Sequence, residues 1–494
     1  MPNKPHLIVL MADQLRYDLV GEHTPNISAL MAESACFSRA YCASPLCVPA
    51  RGAFFTGRYP NENGSLINPW EEKERVHGEV LSGIPNLYNL LDNDWDSWHT
   101  GKQHLKTADK FDEAPDTRTH WLSHPSGYGK YLADQGKRRP GGPAFKGFMP
   151  EMAYGTTTRV NDYSIPTTNC YEHDVDDFTD GFIKNKTLQA IEERDPSKPF
   201  MLNAMFVAPH PPLDIPEPFY SHVRGMEMPE NVGMWGAGQS PLQLYNLTGF
   251  FGSRYSREDW QMPWDVYTGL VALLDHCIGE IIQKLKDEGM YALILWTADH
   301  GEMLGSHCLW QKMCMYEEST HAPLSFKLPK GWKQQTATSD DIVSHIDVLP
   351  TLCDFLDVPI PDGVTGKSLR PTIESGAAVD RDHIFIQFDG NGARGNFQRS
   401  VVKGRHKLII DLFKDETFFE LYDVIDDPQE KYNQAFDDQT VTRELASLLT
   451  DWMRNTDDLI TIDPNAYDHF LNAYTQFRTP EPTYPISPNA QAPK

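Results

Sequence analysis

Uninterrupted apolar runs recur three times along the chain: "HLIVLMADQ" (residues 6–14), "PFMLNAMFVAPHPP" (199–212) and "YALILWTADHGE" (291–302). Runs without polar alternation predict strands buried on both faces, and each of these ends in polar residues able to act as ligands. Between them, "PNISALMAES", "DGFIKNKTLQAIEER" and "DVYTGLVALLDHCIGEIIQKLKDEG" carry the spacing of helices. This alternation predicts an α/β fold with a mainly parallel sheet sandwiched by helices. In such folds functional residues gather at the carboxyl ends of the strands, so Asp13, His210 and Asp299 are expected to converge there.

Elsewhere the pattern changes. Residues 108–180 and 214–260, rich in Gly, Pro, Thr and Asp, show little periodicity and are expected to be long pocket-forming loops. After residue 375, "HIFIQFDG", "QRSVVKGRHKLIIDL" and "FFELYDVIDDPQEKYN" read as antiparallel strands and "VTRELASLLTDWMRNT" as a closing helix. The expected organisation is a catalytic domain over residues 1–375 and a smaller α+β subdomain over 376–494. The tail beyond residue 462, rich in Pro, Tyr and Asn, is expected to wrap the surface or a neighbouring subunit of a homo-oligomer.

Composition narrows the function. The chain has 494 residues, 40% of them hydrophobic, enough for a large core, and 44 basic against 69 acidic residues give a net charge of −25. That charge argues against nonspecific binding to nucleic acid or an anionic membrane, and an anionic substrate needs a local positive site. Eight cysteines without CxxC pairs read mostly as reduced thiols. No stretch reaches 18 apolar residues, the length of a membrane span. The short apolar run near the amino terminus reads as a core strand rather than a secretory signal, which makes the cytoplasm the default location, or the periplasm if a leader precedes this sequence.

Asp13 with Gln14, and Asp299 with His300, offer hard oxygen ligands plus an imidazole at the ends of neighbouring strands. Such a set favours Ca²⁺ or Mg²⁺ and also admits Mn²⁺. Either Asp could instead cap the following helix. Arg51, Lys102, His104, His210 and Lys312 lie in Gly- or Pro-punctuated loops, and jointly they suit a tetrahedral oxyanion. Cys47 sits where "PARGAFFTGR" could open a helix, a place that lowers a thiol pKa and also holds anions. On composition alone Cys47 could equally be a nucleophile or a buried filler.

Taken together, these residues resemble the type I sulfatases, formylglycine-dependent members of the alkaline phosphatase superfamily. "CVPAR" (47–51) is similar to the C-x-P-x-R signature, with Val48 where a small residue is usual; "GKQH" (101–104) to a G-K-x-H element; "PHPPL" (209–213) to a PHxPF loop with Leu213 for Phe; and "TADHGEMLGSHCLWQK" (297–312) to the family's DHGE segment. The resemblance implies an alkaline-phosphatase-like fold and oxidation of Cys47 to formylglycine by a maturation enzyme. It further implies a divalent metal on Asp13, Gln14, residue 47, Asp299 and His300. In the mechanism it implies, the hydrated aldehyde attacks sulfur. Lys102 and Lys312 neutralise the sulfate, His210 serves the leaving oxygen, His104 acts as base for release, and Arg51 holds residue 47.

The expected substrate is a sulfated sugar or oligosaccharide. Long loops and the tryptophans Trp70, Trp95, Trp98, Trp121, Trp235 and Trp260 suit a sugar cleft, although tryptophans also serve as core. Arg394 and Arg399 in "DGNGARGNFQRS" (389–400) are candidate substrate contacts, the alternative being an exposed hairpin turn. Competing readings are a phosphonate monoester or phosphodiester hydrolase, with which Gln14 is compatible, a choline-type or aryl sulfatase, and a non-catalytic binding protein of the same fold.

Overall fold

The computed structural model describes residues 4–474 apart from 113, 115, 116 and 143. Its strands are β1 (His6–Asp13), β2 (Ala35–Tyr41), β3 (Asp96–Gly101), β4 (His120–Ser123), β5 (Lys146–Ala153), β6 (Thr157–Ser164), β7 (Thr168–Tyr171) and β8 (Phe200–Pro209). They continue as β9 (Leu213–Pro216), β10 (Ala292–Ala298), β11 (Leu324–Lys327), β12 (Thr338–Ser344), β13 (His383–Phe388), β14 (Phe397–Lys403), β15 (His406–Phe413) and β16 (Glu416–Asp423).

Eight strands form the main sheet in the order β12-β2-β11-β10-β1-β8-β3-β4, parallel except at β11, which pairs antiparallel with both neighbours. The all-apolar β1 explains itself in this position. Ile8, Leu10 and Ala12 enter one hydrophobic core while Leu7, Val9 and Met11 enter another. On the first face lie the helices Thr179–Glu193 and Arg257–Asp287; on the second lie Cys47–Thr56 and Val348–Leu356. The expected helix-sheet-helix sandwich is thus what the chain forms.

The two stretches read as loops are more structured than expected. Residues 108–180 contain β4, a helix over His124–Asp134 and the β5–β6 hairpin. Strand β6 carries polar residues on both sides, and the hairpin lies outside the main sheet, so hydrophobic alternation gives no signal for it. The long helix begins at Arg257, ahead of the expected start at Asp265, where Ser256 and Asp259 cap each other reciprocally. Pro263, which reads as a break, sits inside this helix.

Strands β13 to β16 form a second, antiparallel sheet, backed by the helices Gln439–Asn455 and Ala466–Tyr474. It is joined to the main body by Gln387 N–H donating to Ala43 O (3.1 Å) and by the buried Lys407, which pairs with Glu317 and Glu430. Most of the expected wrapping tail lies outside the described residues. Among the described residues no helix is long and apolar enough to cross a membrane.

Candidate active site

The carboxyl ends of β1, β10, β8 and β3 deliver Asp13, Asp299, His210 and Lys102 to one place. Lys102 is set by a glycine: at Gly101 (φ +88°) a Cβ would lie 2.0 Å from Met205 O, and the next N–H, that of Lys102, donates to the same oxygen (2.9 Å). His210 follows the end of β8, where the N–H groups of Val207 and Ala208 donate to Asp180 Oδ1 at 2.8 and 2.9 Å. Burial pushes the Asp180 carboxyl up to about 6.

Cys47 is the first residue of the helix Cys47–Thr56, whose sequence presents no polar face because every residue in it is buried. Its Sγ lies 3.2 Å from His300 Nε2, 3.8 Å from Asp13 Oδ1 and 4.0 Å from Lys102 Nζ. His300 Nδ1 donates to Gly301 O (3.0 Å), which leaves the Nε2 lone pair facing Cys47. Burial disfavours the thiolate, as does Asp13, yet Lys102, Lys312 and His300 carry the thiol pKa below its ordinary value. For His300 burial works downward, but Asp299 and Cys47 raise it above the usual imidazole value.

Arg51 lies one helical turn beyond Cys47 and is 1% exposed. Its Nη2 and Nε donate to Asp13 Oδ2 (3.0 Å) and Asp299 Oδ2 (3.1 Å), and its Nη1 donates to Lys102 O (2.6 Å). Lys102 Nζ also reaches Asp13 Oδ2 at 2.6 Å. Burial alone would raise Asp13, but Lys102, His210 and Arg51 hold it well below the usual carboxylate range. His210 donates from Nδ1 to Pro211 O (2.6 Å), so its Nε2 is free to act. Burial and the nearby Lys312 and Lys102 keep its pKa well below normal. His104 is lowered in the same way by burial, Lys102 and Arg51, and its Nδ1 has no partner.

Asp13, Cys47, Asp299 and His300 each present one donor atom, all within 4.8 Å of one another and all buried. Two carboxylates and an imidazole closing on one point fit a hard divalent cation. Gln14 is placed differently from the expected ligand. Its N–H donates to Asp299 Oδ1 (3.1 Å), its amide nitrogen donates to Glu302, and its amide oxygen accepts from Lys312. In this arrangement the Gln14 side chain holds Lys312 in position, because an ammonium already occupies the oxygen a metal would use.

Sequence reasoning missed Glu302 and Arg16. Glu302 Oε1 accepts the N–H groups of Leu304 (2.9 Å) and Gln311 (2.6 Å). Arg16 Nη1 donates to Met303 O (2.9 Å) and Ser306 Oγ (3.1 Å). Together they pin a segment in which Leu304, His307, Cys308, Gln311 and Met313 all take positive φ, a conformation that non-glycine side chains resist. That segment carries Lys312. The available signal was the glutamate in "DHGE", which chemistry alone does not single out.

One expected site residue is corrected. Arg399 is fully buried, with Nε and Nη2 on Asp458 (2.6 and 2.8 Å), Nη2 also on Asp389 (3.0 Å), and Nη1 on Phe388 O and Gln398 O. It is a structural clamp and has no surface to offer a substrate. Arg394 remains partly exposed, with Asp389 at 3.7 Å. Of the six tryptophans, Trp95, Trp98 and Trp260 are core, whereas Trp70 is 44% exposed.

The family model described as Sulfatase matches residues 5–358, and the one described as N-sulphoglucosamine sulphohydrolase, C-terminal, matches residues 305–457. Among curated proteins the chain is similar to an arylsulfatase of Clostridium perfringens, at 25% identity over 415 residues, 77% of this chain and 81% of that protein. It is similar also to a Delta 4,5-hexuronate-2-O-sulfatase of Bacteroides thetaiotaomicron, at 23% identity, 94% of this chain and 93% of that one. A solved phosphonate monoester hydrolase of Agrobacterium radiobacter shares the fold, with a TM-score of 0.74, 21% identity, and coverage of 92% of this chain and 96% of that chain. With the first of these family models spanning well over half its length, the chain belongs to the sulfatase family of the alkaline phosphatase superfamily, and the protein is a sulfuric ester hydrolase.

Proposed function

We propose that the protein removes sulfate from a sulfated sugar, using a formylglycine made from Cys47 and a divalent cation held by Asp13, residue 47, Asp299 and His300. The observation that carries this reading is the setting of Cys47. It opens a helix, its side chain enters a cluster of hard donors, and Lys102 and Lys312 are close enough to shift its titration. A thiol nucleophile needs a general base and no such metal cage, whereas an aldehyde hydrate at this position has a use for every neighbour. When bound, the cation supplies charge stabilisation at the sulfate oxygens, and formylglycine supplies a hydroxyl nucleophile that no unmodified side chain offers.

The chain's own residues divide the remaining work. Arg51, Lys102 and Lys312 set three cations against Asp13 and Asp299, and burial raises the Glu302 carboxyl toward its neutral form. The surplus is positive, which suits a sulfate ester in a chain of net charge −25. Lys102 and Lys312 hold its oxygens, and Gln14 and Glu302 fix Lys312 in turn. An anion seated between the lysines offsets the charges that depress His210, so its Nε2 gains proton affinity as the leaving oxygen arrives. His104, kept neutral, is placed to accept a proton in the release step. Arg51 keeps residue 47 and both carboxylates in register. Because Cys47 is 2% exposed and its helix is wholly buried, the maturation enzyme must meet this segment before the chain folds.

Sugars as substrates are favoured by the relative that acts on a hexuronate sulfate ester and by the exposed Trp70 beside the site. A second reading, a phosphonate monoester hydrolase, draws on the shared fold and on Gln14. Matured protein is to be assayed on an aryl sulfate, an aryl phosphonate monoester, a choline-type sulfate and sulfated mono- and disaccharides. The reading requires kcat/KM on a sulfated saccharide to exceed that on the phosphonate by about tenfold or more; the reverse order establishes the second reading.

A further inference from the structure

The rim of this site carries unspent hydrogen-bonding capacity around an exposed aromatic ring. Val48, next to Cys47, donates its N–H to Asn68 Oδ1 (3.0 Å), and Asn68 O accepts from Gly392 N–H (3.0 Å). Pro69 and Gly392 form a parallel bridge, so the loop after β13 is stitched to the segment leading to Trp70. Trp70 lies two residues past Asn68, within about 7 Å along the chain of a group bonded to Val48. The Trp70 ring lies against Gly392, where a Cβ would come 2.6 Å from Cε3 and 2.5 Å from Arg159 Nη2. With φ +76° as well, the position excludes other residues, and its bareness lets the ring lie on the loop backbone. Arg159 covers part of the ring from 5.5 Å and Tyr163 packs at 5.3 Å, yet 44% of Trp70 stays exposed.

Around this ring, Arg159 Nη2, Arg394 Nε and Asn391 Oδ1 are buried atoms without a hydrogen-bond partner. Buried polar atoms rarely go unpaired, and each costs roughly 1–3 kcal/mol. Three on one rim indicate a ligand that completes them. The ligand is not a simple anion, since Glu74 and Glu151 already pair with Arg159, and Asp389 stands near Arg394. Two donors and an acceptor beside an aromatic face complement hydroxyl groups, which both give and take hydrogen bonds, and the apolar face of a pyranose ring.

We propose that Trp70, Arg159, Asn391 and Arg394 form a saccharide subsite. It stacks one sugar ring on Trp70 and hydrogen-bonds its hydroxyls while the sulfate ester enters the site at Cys47. This rests on the sulfated-sugar reading above and assigns recognition to the C-terminal subdomain's first loop. It makes the enzyme select against compact sulfates that cannot reach the ring.

Two measurements separate the subsite from that reading. In the first, kcat/KM of matured protein is compared between sulfated disaccharides prepared from heparin, chondroitin and carrageenan and the compact para-nitrophenyl sulfate. Trp70→Ala is expected to lower the saccharide-to-aryl ratio about tenfold or more, with Arg394→Met lowering it less and Trp70→Phe recovering much of it. In the second, calorimetry follows binding of the same disaccharides to Cys47→Ala protein, which needs no turnover, with and without Trp70→Ala. An unchanged ratio together with unchanged affinity overturns the subsite, whatever the activity. Trp70-dependent disaccharide binding in a protein that releases no sulfate keeps the subsite and overturns the reaction assigned to it. Absence of both binding and turnover overturns both.

Discussion

Two arginines in this protein are buried between two aspartates, and they do opposite things. Arg51 bridges Asp13 and Asp299 at the ends of the central strands; Arg399 bridges Asp389 and Asp458 beneath the antiparallel sheet. Around Arg399 every partner closes the account: Asp389 Oδ2 accepts from Gln387 (2.8 Å), and Asp458 accepts from Asn61 (3.1 Å) and from Ile460 N–H (3.0 Å). Around Arg51 the carboxylates continue outward to groups with chemistry of their own, namely Cys47, His300 and Lys102. An Arg bridging two carboxylates therefore does not mark a functional site by itself. What marks it is donors and acceptors that face one another with room for something between them.

That contrast can be broken most severely at the Arg51 end. Arg51→Lys keeps the charge and loses the fork, and is expected to cut kcat/KM by about 10²–10³-fold in protein that still folds, because residue 47 and both carboxylates lose register. Initial rates with a circular dichroism control would show it. At the other end, Arg399→Met is expected to cost about 3–5 kcal/mol of stability by stranding two buried carboxylates, read as a fall in denaturation midpoint, while the folded fraction keeps its kcat.

The metal cluster sharpens the comparison further. A divalent cation at 100 times its Kd should stabilise the wild type by about 2.7 kcal/mol, and removing it with a chelator should lower Tm; Asp13→Asn should lose most of that response and Asp389→Asn none of it. Thermal melts with and without Ca²⁺, Mg²⁺ and Mn²⁺ also rank the ions.

The smallest effect concerns the joint between the sheets. Burial pushes Asp411 and Glu420 each up to about 7, with Ser240 bonded to both. A carboxyl whose pKa is raised on folding favours the native state when protonated. Its contribution is full below the ordinary carboxylate range and is lost as pH rises through about 7. Asp411→Asn is accordingly expected to narrow the difference in Tm between about pH 5 and about pH 8, and equal narrowing by a surface Asp→Asn control would defeat the assignment.

The strands, the two long helices and the convergence of Asp13, His210, Lys102 and Asp299 were legible because burial on both faces leaves an unbroken apolar run that stops at the site. Arg399 was misread because a charged residue in a glycine-rich neighbourhood looks exposed, and its partner Asp458 lies 59 residues away in sequence. The role of Gln14 shifted because hydrogen bonds to Glu302 and Lys312 span nearly 300 residues. The β5–β6 hairpin escaped because its polar side chains serve one another and the rim, leaving no apolar rhythm. Local pattern reports what the water-excluding core requires; pairings set by tertiary closure leave no local trace.

The claim on which the rest depends is that residue 47 does not work as a thiol. Mass spectrometry of the tryptic peptide containing residue 47, from protein co-expressed with a formylglycine-generating enzyme and shown to release sulfate, tests it directly. The account predicts a peptide in which the thiol has been replaced by an aldehyde or its hydrate, in proportion to specific activity. Full activity in protein whose peptide retains the intact thiol would contradict it.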